Sequence, residues 1–96
     1  MTGHVVSPRA RADLNDIWDY TADHWGLDQA ERYFHVLGQA IEAIARNPGR
    51  GRPCDEVRPG YRRYAVGSHM IFFRIVGDHI DIVRVLRQRM DFEQHL

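Results

Sequence analysis

Apolar residues recur at helical spacing in two long stretches of the first half of the chain. They form one stripe between residues 8 and 25 and a second between residues 27 and 46. Residues three and four positions apart share one face of an α-helix, so both stretches predict amphipathic helices. Ser7 and Pro8 suit the start of the first helix, and Gly26 suits its end. The stripes are Ala10, Leu14, Ile17, Trp18, Thr21 and Trp25 in the first helix, and Ala30, Phe34, Leu37, Ile41 and Ile44 in the second.

Short strands are predicted before and after the two helices. "HVVS" favours a strand at the N-terminus, and "NPG" at 47–49 ends the second helix. "YRRYAV", "HMIFFRIV" and "HIDIVRVL" then follow, joined by "VGSH" and "VGDH", which suit tight hairpins. We predict one α+β domain over residues 1–96, with an N-terminal strand, an antiparallel helix hairpin and three antiparallel strands. The helices are expected to pack on one face of the sheet.

The predicted sheet has an apolar second face. If Ile71, Phe73 and Ile75 meet the helices, together with Val83 and Val85, an apolar set with two arginines is left on the other face. A solvated sheet face is mostly polar, so something is expected to cover this one. Two alternatives are open, the chain's own loop at 47–60 or another protein. The set is Met70, Phe72, Arg74, Val76, Ile80, Ile82, Arg84 and Leu86.

Composition and charge narrow the class of protein. The chain is 44% hydrophobic and 27% charged, which is typical of a globular domain, and its longest apolar runs are far shorter than a membrane span. With no signal-peptide pattern and a single cysteine, Cys54, we predict a cytoplasmic protein without a membrane segment. The net charge is zero, but residues 1–46 carry −3 and residues 47–96 carry +3. A positive half attracts nucleic acid or an acidic protein surface.

Catalytic chemistry is weakly indicated. The six histidines are scattered without HxxxH or CxxC spacing, so no metal and no cofactor are predicted. His69 and His79 flank strands and are expected to be solvated turn residues. RNA cleavage would need arginines and a group that moves the 2′-hydroxyl proton. By sequence only His95 lies near the arginines of the last strand, so no catalytic residue is assigned.

Four stretches and their order resemble the ParE toxins of bacterial type II toxin–antitoxin modules, within the RelE/ParE superfamily. They are "SPRARADLNDIWDYTADHWG", "NPGRGRPCDEVRPGYRRY", "GSHMIFFRI" and "VRVLRQRMD", which together span most of residues 5–91. The resemblance implies a sheet packed on an α-hairpin. It also implies a ParD antitoxin in a hetero-oligomer, and DNA gyrase as a target stalled on cleaved DNA without catalysis by the toxin. RelE-type relatives instead cut mRNA in the ribosome.

The resemblance also assigns expected surfaces. The antitoxin is expected on the second sheet face and on the helices. No sequence-specific DNA binding is expected of this chain alone, because antitoxins of this kind bring the DNA-binding part. The expected antitoxin contacts are Met70, Phe72, Arg74, Ile80, Ile82, Arg84 and Leu86.

The end of the chain, from Val83 to Glu93, groups arginine with apolar residues. Arg87, Arg89, Met90 and Phe92 form a mix that is enriched at interface cores, and we predict that they bind gyrase. Many ParE sequences carry His where Arg87 stands, which moves this chain further from RNase chemistry. Solvated arginines at a strand end and a nuclease site are the alternatives. Three hypotheses follow, namely a gyrase-inhibiting toxin, a ribosome-dependent mRNA endonuclease, and a non-toxic antitoxin-binding partner.

Overall fold

The predicted order of elements is confirmed, with one short strand added. The computed structural model describes residues 3–89 and residue 96. Its sheet has the order β1-β5-β4-β3-β2, with β1 parallel to β5 and the other neighbours antiparallel. The elements are β1 (Gly3–Val6), α1 (Pro8–Trp25), α2 (Leu27–Arg46), a 3₁₀ turn (Pro48–Arg50), β2 (Arg52–Pro53), β3 (Tyr61–Val66), β4 (His69–Val76) and β5 (His79–Arg87).

Both helices begin and end where their capping residues predict. The Ser7 hydroxyl accepts a hydrogen bond from the Ala10 N–H at 3.1 Å, and Pro8 occupies the first turn of α1. Gly26 separates α1 from α2 with φ of 92°, a backbone conformation that side chains disfavour. The stripe of α2 packs on the sheet, whereas Trp25 at the end of α1 is 72% exposed. Trp25 therefore lies outside the core that its spacing predicts.

The two hairpins have the two-residue turns that "VGSH" and "VGDH" predict. Gly67 and Gly77 stand first in these turns, with φ of 56° and 59°. Gly67 is required for a second reason, because a Cβ atom there would lie 2.7 Å from the Tyr33 ring and hydroxyl. The β3–β4 turn is therefore fitted against a side chain of α2.

A β-bulge changes which side chains of β5 meet the helices. Phe72 pairs with Arg84 but Phe73 pairs with Ile82, so Val83 is the extra residue. Strict alternation fails at such a bulge, and the predicted faces were wrong for Val83, Ile80 and Ile82. Ile80 and Ile82 lie in the core against the helices, whereas Val83 packs on the opposite face. Ile75, expected in the core, is 45% exposed.

The second sheet face is covered by the chain itself. Cys54 of the loop before β3 forms a buried cluster there with Phe72 and Leu86, and Val57 of the same loop packs against it. The loop is closed by a hydrogen bond from the Cys54 N–H to the Tyr61 carbonyl at 2.9 Å. Burial raises the pKa of the Cys54 thiol, so the thiol stays protonated and unreactive. The loop alternative is confirmed, and the premise of a large exposed apolar face was wrong. The partly buried members are Val57, Tyr61, Met70, Val83 and Leu96.

Candidate functional site: a groove between the helix hairpin and the last strand

An open concavity runs between the helices and the second half of β5. We call it the β5 groove, and its volume is about 990 Å³. Its middle is apolar, with Ile17, Val85 and Leu86, and charged residues stand at both ends. A groove of this kind suits a peptide segment with an apolar side. Its lining is Asp13, Asp16, Ile17, Tyr20, Thr21, Trp25, Gln29, Tyr33, Ser68, His69, Arg84, Val85, Leu86 and Arg87.

An ion pair between α1 and β5 forms one end of the groove. Arg84 donates to Asp13 through Nε at 2.7 Å and through a terminal nitrogen at 2.8 Å, and both side chains are nearly buried. The Val85 N–H donates to the same carboxylate at 3.0 Å. The hydrogen bond to Asp13 raises the pKa of Arg84. This fork-on-fork geometry fixes α1 against the strand.

The outer edge of β5 is only partly covered by α1 and its cap. Pairing with β1 ends at Val6 and Ile82, although β5 continues to Arg87. Ser7 then bonds to the backbone of β5. Its N–H donates to the Ile82 carbonyl and its hydroxyl donates to the Val83 carbonyl, both at 3.0 Å. Further along the strand, the Asp13 carboxylate accepts a hydrogen bond from the Val85 N–H. Within residues 3–89 and 96, no strand pairs with this edge beyond Ile82, so the groove borders open sheet edge.

A tyrosine–histidine pair forms the other end of the groove. The Tyr33 hydroxyl and Nδ1 of His69 share a hydrogen bond of 2.5 Å, and the same hydroxyl accepts from the Ser68 N–H at 3.2 Å. His69 pairs across the ladder with Arg87, the last residue of β5. Burial and the Arg87 charge lower the pKa of His69 below its usual value. The expectation that His69 is a solvated turn residue was wrong, since it is 9% exposed.

We expect the depressed pKa of His69 to make folding stability fall in mild acid. The unfolded chain binds a proton at His69 more readily than the folded chain, so stability is lost as pH falls below about 6.5. His69→Gln should flatten the decline of the melting temperature between pH 7.5 and 5.5. His35→Gln, at an exposed position on α2, is the control and should leave the decline unchanged. An unchanged decline in His69→Gln would refute the role of this pair.

The predicted site residues are divided between the groove, the cores and the undescribed end of the chain. Arg84, Leu86 and Arg87 line the β5 groove, and Arg89 is exposed just beyond it. Met90 and Phe92 lie outside the described residues. Phe72, Ile80 and Ile82 are fully buried, whereas Met70 is half-buried and Arg74 pairs with Asp81 at 3.3 Å. What these residues bind stays a prediction.

Sequence reasoning missed four residues that shape the groove. Neither Asp13 nor Tyr33 was assigned to a site. His69 was placed in solvent, and Trp25 was placed in the core. The sequence does indicate a position for Asp13. It lies three residues after Ala10 and four before Ile17, so it borders the apolar stripe of α1.

No group of three or more His, Cys, Asp or Glu side chains in residues 3–89 and 96 is placed to hold a metal ion. Within the same residues, neither helix combines the length and the apolar character that crossing a membrane requires.

Comparison with known proteins shows the class to which this protein belongs, the toxins of type II toxin–antitoxin systems. The family model described as "ParE toxin of type II toxin-antitoxin system, parDE" matches residues 5–92. The chain therefore belongs to the ParE toxin family, and it is a ParE-type toxin of a type II system. The helix hairpin and the sheet described above are shared with a chain of a solved ParDE structure.

Three relatives carry the comparison. The chain is 53% identical over 94 residues to Toxin ParE1 of Mycobacterium tuberculosis, covering 97% of this chain and 96% of the relative. It is 48% identical over 96 residues to Toxin ParE1 of Caulobacter vibrioides, covering 100% of this chain and 99% of the relative. A solved structure titled "Chromosomal ParDE TA system from P. aeruginosa" superposes with a TM-score of 0.78 at 26% identity, covering 91% of this chain and 96% of that one.

Proposed function

We propose that this toxin inhibits DNA gyrase in the cytoplasm and is neutralised by a ParD-like antitoxin in a hetero-oligomer. The observation that carries the proposal is the family match across residues 5–92. The toxin acts in this proposal by binding, as ParE resemblance implies, and not by catalysis.

We further propose that the antitoxin occupies the β5 groove. The groove is open along β5, apolar in the middle and charged at both ends, and Trp25 and Tyr20 stand exposed on its helix side. Exposed aromatic side chains beside an apolar floor are the residues that dominate binding energy at protein interfaces. On the second sheet face, by contrast, Cys54 and Val57 of the loop before β3 pack against Phe72 and Leu86.

An mRNA endonuclease is the second candidate, and one observation favours it. His69 lies opposite Arg87, so a titratable group and a cation share one end of the groove. Cleavage of RNA needs both, a proton acceptor and a group that stabilises negative charge. Against it, His69 is nearly buried and its Nδ1 is already bound by Tyr33.

Expression in bacteria separates the two candidates. We expect induction of the DNA-damage response and arrest of DNA synthesis, while pulse-labelled protein synthesis continues. Prompt arrest of translation with cut mRNA would instead support the endonuclease. A His69→Gln variant provides the matched control, since it should stay toxic if gyrase is the target and lose toxicity if His69 moves a proton.

Arg89 is expected to separate toxicity from antitoxin binding. It is exposed beyond the end of β5 and does not line the groove, whereas Arg87 does. Arg89→Ala should weaken target binding roughly 30-fold, corresponding to about 2 kcal/mol for an interface arginine, and leave antitoxin capture intact. Arg87→Ala should reduce both. Arg9→Ala, at an exposed position on α1, serves as control, and an Arg89→Ala toxin that kills like the parent would show that Arg89 is only solvated.

A further inference from the structure

A second charged surface lies away from the groove, around the 3₁₀ turn and β2. Residues 46–63 contain six arginines and two acids, a formal charge of +4 in a chain of zero net charge. We call Arg46, Arg50 and Arg52 the basic edge. All three are exposed, and within residues 3–89 and 96 none of them has an ion pair or hydrogen bond through its side chain.

The placement of Arg52 is unfavourable for the isolated chain. Arg52 pairs directly with Arg63 on the β2–β3 ladder, so two like charges stand side by side on one sheet face. Such pairs destabilise a sheet. On β4–β5 the corresponding charged pair, Arg74 and Asp81, is complementary. Among the described residues, the Arg63 guanidinium has one ion pair, a long one of 3.9 Å to the Glu56 carboxylate. An anionic partner would relieve this repulsion.

The first helix, α1, has a net negative charge. α1 carries Asp13, Asp16, Asp19 and Asp23 against two arginines. A polyanion would therefore be repelled by the helix side and attracted to the basic edge, which orients it on the surface.

We propose that the basic edge binds the phosphodiester backbone of double-stranded DNA without sequence preference. Arginine matches phosphate geometry through its planar fork of donors. Proteins that grip single strands add exposed aromatic side chains on which bases stack. The one aromatic residue of segment 46–63, Tyr61, is packed in the cluster beneath the loop, so this surface offers phosphate contacts and no stacking platform. Duplex backbone binding goes beyond the proposed inhibition of gyrase and needs no gyrase to be observed.

Fluorescence anisotropy with a labelled 20-base-pair duplex tests the proposal on the purified chain. We expect weak, salt-sensitive binding, with log K falling against log salt at a slope of about −3 for three phosphate contacts. Arg46→Gln, Arg50→Gln and Arg52→Gln together should reduce the slope by about 0.9 for each arginine and weaken binding at 50 mM salt at least tenfold.

Matched variants make the result specific. Arg9→Gln, Arg11→Gln and Arg32→Gln remove the same charge from exposed positions on the helices and should leave binding within about twofold. The triple Arg→Lys variant of the basic edge should keep most of the affinity, because it keeps the three positive charges that contact phosphate. No binding at low salt, an equal loss in the helix variants, or tighter binding to single-stranded RNA than to duplex DNA would each overturn the proposal. Since the assay contains no gyrase, a negative result leaves the gyrase proposal unaffected.

Discussion

Asp13→Ala is expected to lower the free energy of unfolding by about 3 kcal/mol, the low end for breaking a largely buried ion pair. Three hydrogen bonds converge on this carboxylate, two from Arg84 and one from the Val85 N–H. Alanine leaves the guanidinium without its carboxylate and the backbone N–H without an acceptor, and both groups are shielded from water. The contact also joins two elements 71 residues apart in sequence, so its loss loosens α1 from β5.

Thermal unfolding measures the effect of Asp13→Ala. A domain of this size shifts by about 4–8 °C per kcal/mol, so the melting temperature should fall by more than about 10 °C. Asp16→Ala is the control, because Asp16 lies on the same helix and lines the same groove but is exposed. Adding Arg84→Met to Asp13→Ala should restore part of the loss by removing the buried charge. Equal melting temperatures for Asp13→Ala and Asp16→Ala would show that the pair contributes little.

Trp25→Ala is expected to weaken antitoxin binding by roughly 30-fold or more, the effect of about 2 kcal/mol at an interface. The indole is 72% exposed in the free toxin and lines the β5 groove, so it has apolar surface to bury on a partner and contributes little to the core. The melting temperature of the free toxin should therefore stay within a few degrees of the parent.

Leu27→Ala is the matched control for Trp25→Ala. Leu27 lies two residues further on, is 64% exposed and does not line the groove. Titration calorimetry with the cognate antitoxin should show a large change for Trp25→Ala and almost none for Leu27→Ala. If both substitutions change the antitoxin affinity only slightly, the antitoxin binds elsewhere. If both weaken it strongly, the interface also covers the tip of the helix hairpin.

The two helices and the strands β1, β3, β4 and β5 were predictable because each is specified locally, whereas the two-residue strand β2 was not predicted. Ser7, Pro8 and Gly26 mark helix ends through their own backbone preferences, and Gly67 and Gly77 mark the hairpins. The faces of β5 were not predictable, because a bulge depends on how two strands fit and no local residue pattern announces Val83 as the extra residue. One unpaired residue was enough to move Ile80 and Ile82 from the predicted outer face to the core.

The β5 groove was harder to predict than the faces of β5, since it is formed by pairs of residues that are far apart in the sequence. Tyr33 and His69 are 36 residues apart, and neither has a pattern that names the other as a partner. Arg84 was predicted to lie on the apolar second face of the sheet. Its guanidinium instead contacts α1, because the Asp13 carboxylate accepts its hydrogen bonds there. Charge segregation, in contrast, was visible from the sequence alone, and the structure adds which arginines of the positive half are exposed.

Plasmid DNA incubated with purified gyrase, ATP and this toxin tests the central proposal most directly. The proposal predicts that supercoiling is inhibited and that linear DNA accumulates after denaturation of gyrase, with both effects reversed by prior addition of the antitoxin. Trp25→Ala toxin should still inhibit gyrase but need more antitoxin for the reversal. Full supercoiling activity and intact DNA at a large molar excess of folded toxin would contradict the proposal.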